Sequence, residues 1–196
     1  MNTNPPKGKT LHETDKFQLL DYEGMVGIKP LFTNVVVMPF TSDSQGLPLM
    51  VGVLKEPNPF REEGFNVSLV TGTTDDEDGD LLSTAQRELY EETGLNVPDV
   101  KKWYYLGAVT SSKFVDHEQP CFAVDVTGVE KEEPKTDGSK MEAEAEFKFI
   151  PANDVVNVKD IFVPGLFLKL FKYVLGIEIQ DQSSDFDFGS SKSELS

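Results

Sequence analysis

The stretch RELYEETGL, Arg87 to Leu95, decides how the rest of the chain is read. Three glutamates, Glu88, Glu91 and Glu92, sit beside Arg87, and Thr-Gly-Leu follows. On a helix each residue advances about 100°, so Glu91 and Glu92 fall about 60° and 40° to either side of Glu88. All three carboxylates then share one arc. The stripe Leu82, Ala85, Leu89 and Thr93 runs beside that arc at helical spacing, which puts the carboxylates at the border of the core. Like charges this close repel and weaken a helix, so something must compensate. Arg87, one turn before Glu91, can neutralise one charge. A hard divalent cation, with its preference for oxygen ligands, would neutralise the others. A solvated glutamate-rich face is the alternative, and helix geometry alone does not choose between the two.

Working outward, LLSTAQRELYEET reads as one helix, with Asp80 as its N-cap and Gly94 as its stop. The acidic loop TTDDEDGD precedes it, and the alternating strand FNVSLVTG precedes the loop. Upstream, FQLLDYEG, MVGIKP, NVVVMPFT and LMVGVLKE read as strands, and EPNPFREEG as a loop. Downstream, WYYLGAV and PCFAVDVTG are strands separated by the loop TSSKFVDHEQ. The charged loop GVEKEEPKTDGSK leads to the strand EAEFKFI, the turn PANDVVNV and a last, mostly apolar helix that starts near Pro164. This order predicts an α+β fold, a mixed sheet sandwiched between helices. Residues 1–15 are expected to be a flexible arm, 16–178 one domain, and 179–196 an acidic flexible tail whose DFDF has the look of a docking motif.

Composition narrows the functions. The chain of 196 residues carries 34 acidic against 18 basic residues, a net charge of −16. Duplex nucleic acid is excluded as a partner, because neutralisation of phosphates by Lys and Arg supplies most of that affinity. The two arginines, Arg61 and Arg87, make no basic patch on their own. An anionic small ligand stays open if a bound cation reverses the local field. No apolar run reaches about 18 residues, so no membrane span is expected, and the N-terminus lacks the apolar core of a secretory signal. Cys121 is the lone cysteine, which excludes an intrachain disulfide and fits a cytoplasmic protein.

The wording RELYEETGL also resembles the second half of the Nudix box, G-x5-E-x7-R-E-U-x-E-E-x-G-U, where U is aliphatic. Arg87, Glu88, Leu89, Glu91, Glu92, Gly94 and Leu95 match every defined position of that half. The resemblance spans residues 30–178, with the box at about 72–95. It implies a Nudix fold and a hydrolase. The first half departs: the first glycine position holds Thr73 and the first glutamate position holds Gly79. Gly72 is one residue early and Asp80 one late, so Gly72 is expected to make the strand-end turn and Asp80 to stand in for the first glutamate.

The resemblance implies the following roles. Glu88, Glu91 and Glu92 hold Mg²⁺, with Mn²⁺ as an alternative. Arg87 orients a glutamate of the box, and Glu91 and Arg87 count as catalytic. The general base comes from outside the box; Glu118, Glu142 and Glu144 are candidates, with Glu144 favoured. Arg61 and Glu118 are candidate substrate contacts, and His117 reads as an ordinary loop histidine. Phe17, Tyr22, Phe32 and Phe114 could stack on a base. The extra N-terminal strands and the loop before Cys121 resemble the ADP-ribose pyrophosphatase branch. That implies hydrolysis of a pyrophosphate bond in ADP-ribose, a related dinucleotide or a nucleotide sugar, and a homodimer. Two alternatives stand beside it: removal of pyrophosphate or cap from RNA 5′ ends, and an inactive Nudix nucleotide sensor.

Overall fold

The structure is a computed structural model and describes residues 8–134 and 144–177. Glu142 and the DFDF segment therefore lie outside the described residues. Among the described residues ten strands form two sheets, and two α-helices pack on the larger one. The smaller sheet joins β1 (Lys9–Glu13), β2 (Phe17–Tyr22) and β3 (Met25–Pro30) in that order. The larger sheet has seven strands, with β4 (Asn34–Ser42) at its centre. Its path runs β10 (Glu146–Pro151), β5 (Pro48–Pro57), β4, β9 (Gln119–Asp125), β8 (Trp103–Val109). The strands β6 (Phe65–Ser68) and β7 (Val70–Thr73) pair with β5 and β4 respectively. β4 and β9 are parallel and the other pairs antiparallel, so the sheet is mixed, as the sequence leads one to expect.

Two cores follow from the period-two alternation of β4. Val35 and Val37 face α1 (Leu81–Thr93) and pack with Ala85, Leu89, Val70 and Trp103. Val36, Met38 and Phe40 face α2 (Phe162–Val174) and pack with Val163, Leu166 and Leu170. Each helix thus covers one face of the sheet.

The fold departs from the sequence reading in three places. First, β1 lies inside the segment expected to be a loose arm. All five of its residues are exposed and it is held by main-chain pairing to β2, so it carries no hydrophobic signal. Second, FNVSLVTG is two strands: the break at Leu69 hands the chain from β5 to β4. Third, Gly72 does not make the strand-end turn: it lies inside β7, paired with Val35 of β4.

The helix α1 ends as its sequence demands. Gly94 adopts a left-handed conformation (φ 73°) and donates to the Tyr90 carbonyl. It also faces the incoming chain: Glu132 N–H donates to the Gly94 carbonyl at 2.9 Å. A Cβ at position 94 would lie 2.0 Å from the Glu132 carbonyl oxygen. Gly94→Ala is therefore expected to cost more than the roughly 1–2 kcal/mol of a left-handed non-glycine residue alone. Urea unfolding at constant m-value measures it.

Candidate active site

Arg87 is the centre of the site. Its Nε donates to Asp78 Oδ1 and its Nη2 to Asp78 Oδ2, both at 2.9 Å, a bidentate fork. Nη2 also donates to the Thr73 carbonyl at 2.8 Å, and Nη1 to Glu91 Oε2 at 2.9 Å. Glu88 Oε1 lies 2.9 Å from the same Nη1. Asp78 is further tied by the Thr84 hydroxyl and the Asp75 N–H, both donating to Oδ2. One side chain thereby pins the strand end, the acidic loop and the helix to one another.

This corrects the reading of Asp80. Asp80 caps α1, its carboxylate accepting from Ser83 N–H, and it is exposed. The acid that meets Arg87 is Asp78, one residue before the position where the box has glutamate. Its side chain is 8% exposed. The Arg87 hydrogen bonds hold its carboxyl far below the usual carboxylate range, against the opposing effect of burial. The sequence signal for this was present but ambiguous: Asp75, Asp76, Asp78 and Asp80 are interchangeable by composition, and only Thr84, one turn into the helix, marks which one turns inward.

A cleft of about 400 Å³ lies between β7 and α1, lined by Thr71, Gly72, Thr73, Asp75, Arg87 and the three glutamates. The structure therefore brings Arg87, Glu88, Glu91 and Glu92 together. Glu88 is pressed against the strand: a Cβ on Gly72 would fall 1.7 Å from its Cδ. Burial lifts the Glu88 carboxyl to about 7, with Arg87 opposing and Glu91 and Asp78 adding to the rise.

The other expected residues lie elsewhere. Arg61, on the β5–β6 loop, lines a different hollow. Glu118, at the end of the β8–β9 loop, and Glu144, in the turn before β10, are both exposed. His117 hydrogen-bonds Asn34 through Nε2 and meets the Phe32 ring edge-on. Asn34 in turn pairs with Thr73 across β4 and β7, a link to the cleft wall that composition does not reveal.

The chain matches the family model for the NUDIX domain over residues 31–168, well over half its length. The chain belongs to the Nudix family. Among curated relatives, the RNA pyrophosphohydrolases of Bartonella tribocorum and Bartonella henselae are each 29% identical over 109 residues, 48% of this chain. This Nudix chain spans 62% of the length of those relatives. A solved structure, the crystal structure of an ADP compounds hydrolase, superposes with a TM-score of 0.60 at 14% identity. It covers 89% of this chain and 98% of its own, and shares the fold.

The donor set suits a divalent metal. One guanidinium pairs with the carboxylates of Asp75, Asp78, Glu88 and Glu91, and Glu92 lines the same cleft, so the site carries excess negative charge and hard oxygen donors. Among the described residues no three His, Cys, Asp or Glu side chains are already gathered as a ligand set. Glu88 and Glu91 bond Arg87 instead, and would turn from it to take up a metal.

Two outcomes test this electrostatics. Asp80→Ala is expected to cost about 1 kcal/mol, the value of an N-cap. Asp78→Ala should cost about 2–3 kcal/mol, somewhat below a fully buried pair because Arg87 keeps 27% of its surface. Denaturant unfolding of both variants ranks them. For Glu88 the folded-state pKa is raised, so its contribution to stability is full below the unfolded value of 4.5 and is lost as pH rises through about 7. In EDTA, thermal stability should decline across that window. Glu88→Gln should flatten the decline, and added Mg²⁺ should abolish it.

Proposed function

We propose that the chain is a Mg²⁺-dependent pyrophosphohydrolase acting on a nucleoside diphosphate linked to another group, most of all ADP-ribose or a related dinucleotide or nucleotide sugar. The observation that carries this reading is the cleft itself: three carboxylates of one helix share it, Glu88 packed against β7 at Gly72, and Glu88 and Glu91 paired with Arg87. A protein that only bound nucleotide would gain nothing from crowding these charges, which weighs against the sensor alternative.

Glu88, Glu91 and Glu92 would hold the metal, Mg²⁺ or Mn²⁺. When bound, it would neutralise charge on the phosphates and acidify water at the site. Arg87 keeps Glu88 and Glu91 on the cleft side of α1 and anchors the acidic loop through Asp78. Gly72 leaves the strand bare where the Glu88 carboxyl packs against it. Glu144 is the proposed base. It stands exposed in the turn before β10, outside the residues that line the cleft. Arg61 and Glu118 receive no role in the cleft, which neither lines.

The choice of a ring-bearing leaving group is supported by a second hollow, about 640 Å³, between the N-terminal sheet and the β8–β9 loop. Tyr22, Phe114, Lys29 and Lys113 line it. The loop is stitched to β3: Ile28 N–H donates to the Phe114 carbonyl, and Asp116 N–H to the Ile28 carbonyl, each at 2.8 Å. His117, next to Asp116, reaches Asn34 and so the wall shared with Thr73. A substrate with phosphates in the cleft and a ring in this hollow would span that wall.

The relatives named RNA pyrophosphohydrolase favour a second reading, removal of pyrophosphate from RNA 5′ ends. The charge of −16 weighs against a long RNA footprint. No helix among the described residues is long and apolar enough to cross a membrane. A cytoplasmic location and a homodimer belong to the proposal.

A turnover panel decides between the readings: ADP-ribose, dinucleoside polyphosphates, nucleotide sugars, nucleoside triphosphates and triphosphorylated RNA, with Mg²⁺ or with EDTA. ADP-ribose or a relative is expected to turn over, EDTA to abolish the reaction, and Glu92→Gln to lower kcat by about 100-fold or more. Turnover of RNA alone would establish the second reading. A flat panel with intact folding would establish the sensor.

A further inference from the structure

Arg61 points to a different part of the molecule. It lines a hollow of about 350 Å³ on the sheet face opposite α1, between β6, β10 and the turn Ala152–Asn157 that precedes α2. The floor is apolar: Val67, Ile150 and Val158 pack against the α2-side core, while the glutamate cleft borders the α1-side core. One wall is the Phe65 ring, 37% exposed, with Lys55 Nζ 4.4 Å from its centroid. Two side-chain amides, Asn66 and Asn157, stand at the rim.

The cations are the unusual part. Arg61, Lys148 and Lys159 ring this hollow in a chain whose acids outnumber its bases nearly two to one. Lys159 is paired with Glu63, and Asp154 adds a second acid. Among the described residues neither Arg61 nor Lys148 forms an ion pair, although a partner would be easy to find on so acidic a protein. Two cations outside any ion pair, of which Arg61 also lies within charge range of Glu63, together with an exposed ring and two amides around an apolar floor match one ligand chemistry: a compact phosphate monoester carrying a flat heterocycle. The phosphate would meet Arg61 and Lys148. The heterocycle would lie against Phe65 and the apolar floor, with its polar edge toward the amides.

The geometry points to a second ligand site at this hollow, one that takes a nucleoside monophosphate and is separate from the glutamate cleft. Nucleoside monophosphates are also the class of product the proposed hydrolysis releases, but the inference stands without turnover, since binding is read with no metal and no reaction.

The test is a titration of the full chain with AMP in EDTA, followed by amide resonances, with adenosine and inorganic phosphate in parallel. AMP is expected to shift Asn66, Lys148 and Asn157 in the wild type and to bind about tenfold more tightly than either fragment. The double variant Arg61→Glu with Lys148→Glu, at two exposed positions, should lose at least about tenfold in affinity. Phe65→Leu should weaken AMP but not inorganic phosphate. Glu92→Gln, at the other cleft, should leave the affinity within about twofold. The site is overturned if the shifts are confined to Thr71–Thr73 and α1, if AMP binds the double variant as well as the wild type, or if no resonance moves. If inorganic phosphate binds as tightly as AMP, the heterocycle half of the inference is overturned.

Discussion

The five donors of one guanidinium set the shape of the functional end of this molecule. Arg87 can satisfy a carboxylate in the fork geometry, a carbonyl and two glutamates at once because its charge is spread over a rigid plane. A lysine at position 87 would present a point charge to the same partners and could not hold Asp78 and Thr73 in one plane. The acidic loop, the end of β7 and the cleft side of α1 are separate elements of the chain; this contact makes them one object. The same cation also engages Glu88 and Glu91, which ties the helix face to the loop and the strand end.

The cleft is consequently short of positive charge. Four carboxylates share one guanidinium, and a fifth, Glu92, lines the same cleft. Burial pushes Glu88 toward neutrality even against the pull of Arg87 beside it. A divalent ion relieves such a cluster without protonation. Without a metal, the Arg87 pairs and the burial of Glu88 are what offset the repulsion among the three glutamates.

Much of this arrangement is legible in the amino-acid sequence. The strand runs, the helix with its Asp80 and Gly94 ends, and the facing of the three glutamates follow from period, capping residues and spacing. The features that stay hidden depend on long-range partners. The strand at Lys9–Glu13 buries nothing and exists through pairing with β2. The break at Leu69 comes from the exchange of neighbours between β5 and β4, which no local signal marks. Asp78 cannot be told from the other loop acids, because the property that selects it, burial against Arg87 and Thr84, is tertiary. The link from His117 through Asn34 to the cleft wall likewise joins residues far apart in the chain.

The parallel pairing of β4 with β9 also shapes the order in which the chain can assemble. Those two strands bracket β5 to β8 and the whole of α1 in the sequence. Closing so long a segment loses chain entropy before its contacts repay it, and topologies of this kind are slow to form. The clamp between Arg87 and Asp78, by contrast, joins residues only nine apart. The functional end of the molecule therefore joins contacts of short sequence separation, while the strand at the centre of the sheet depends on a partner more than 80 residues away.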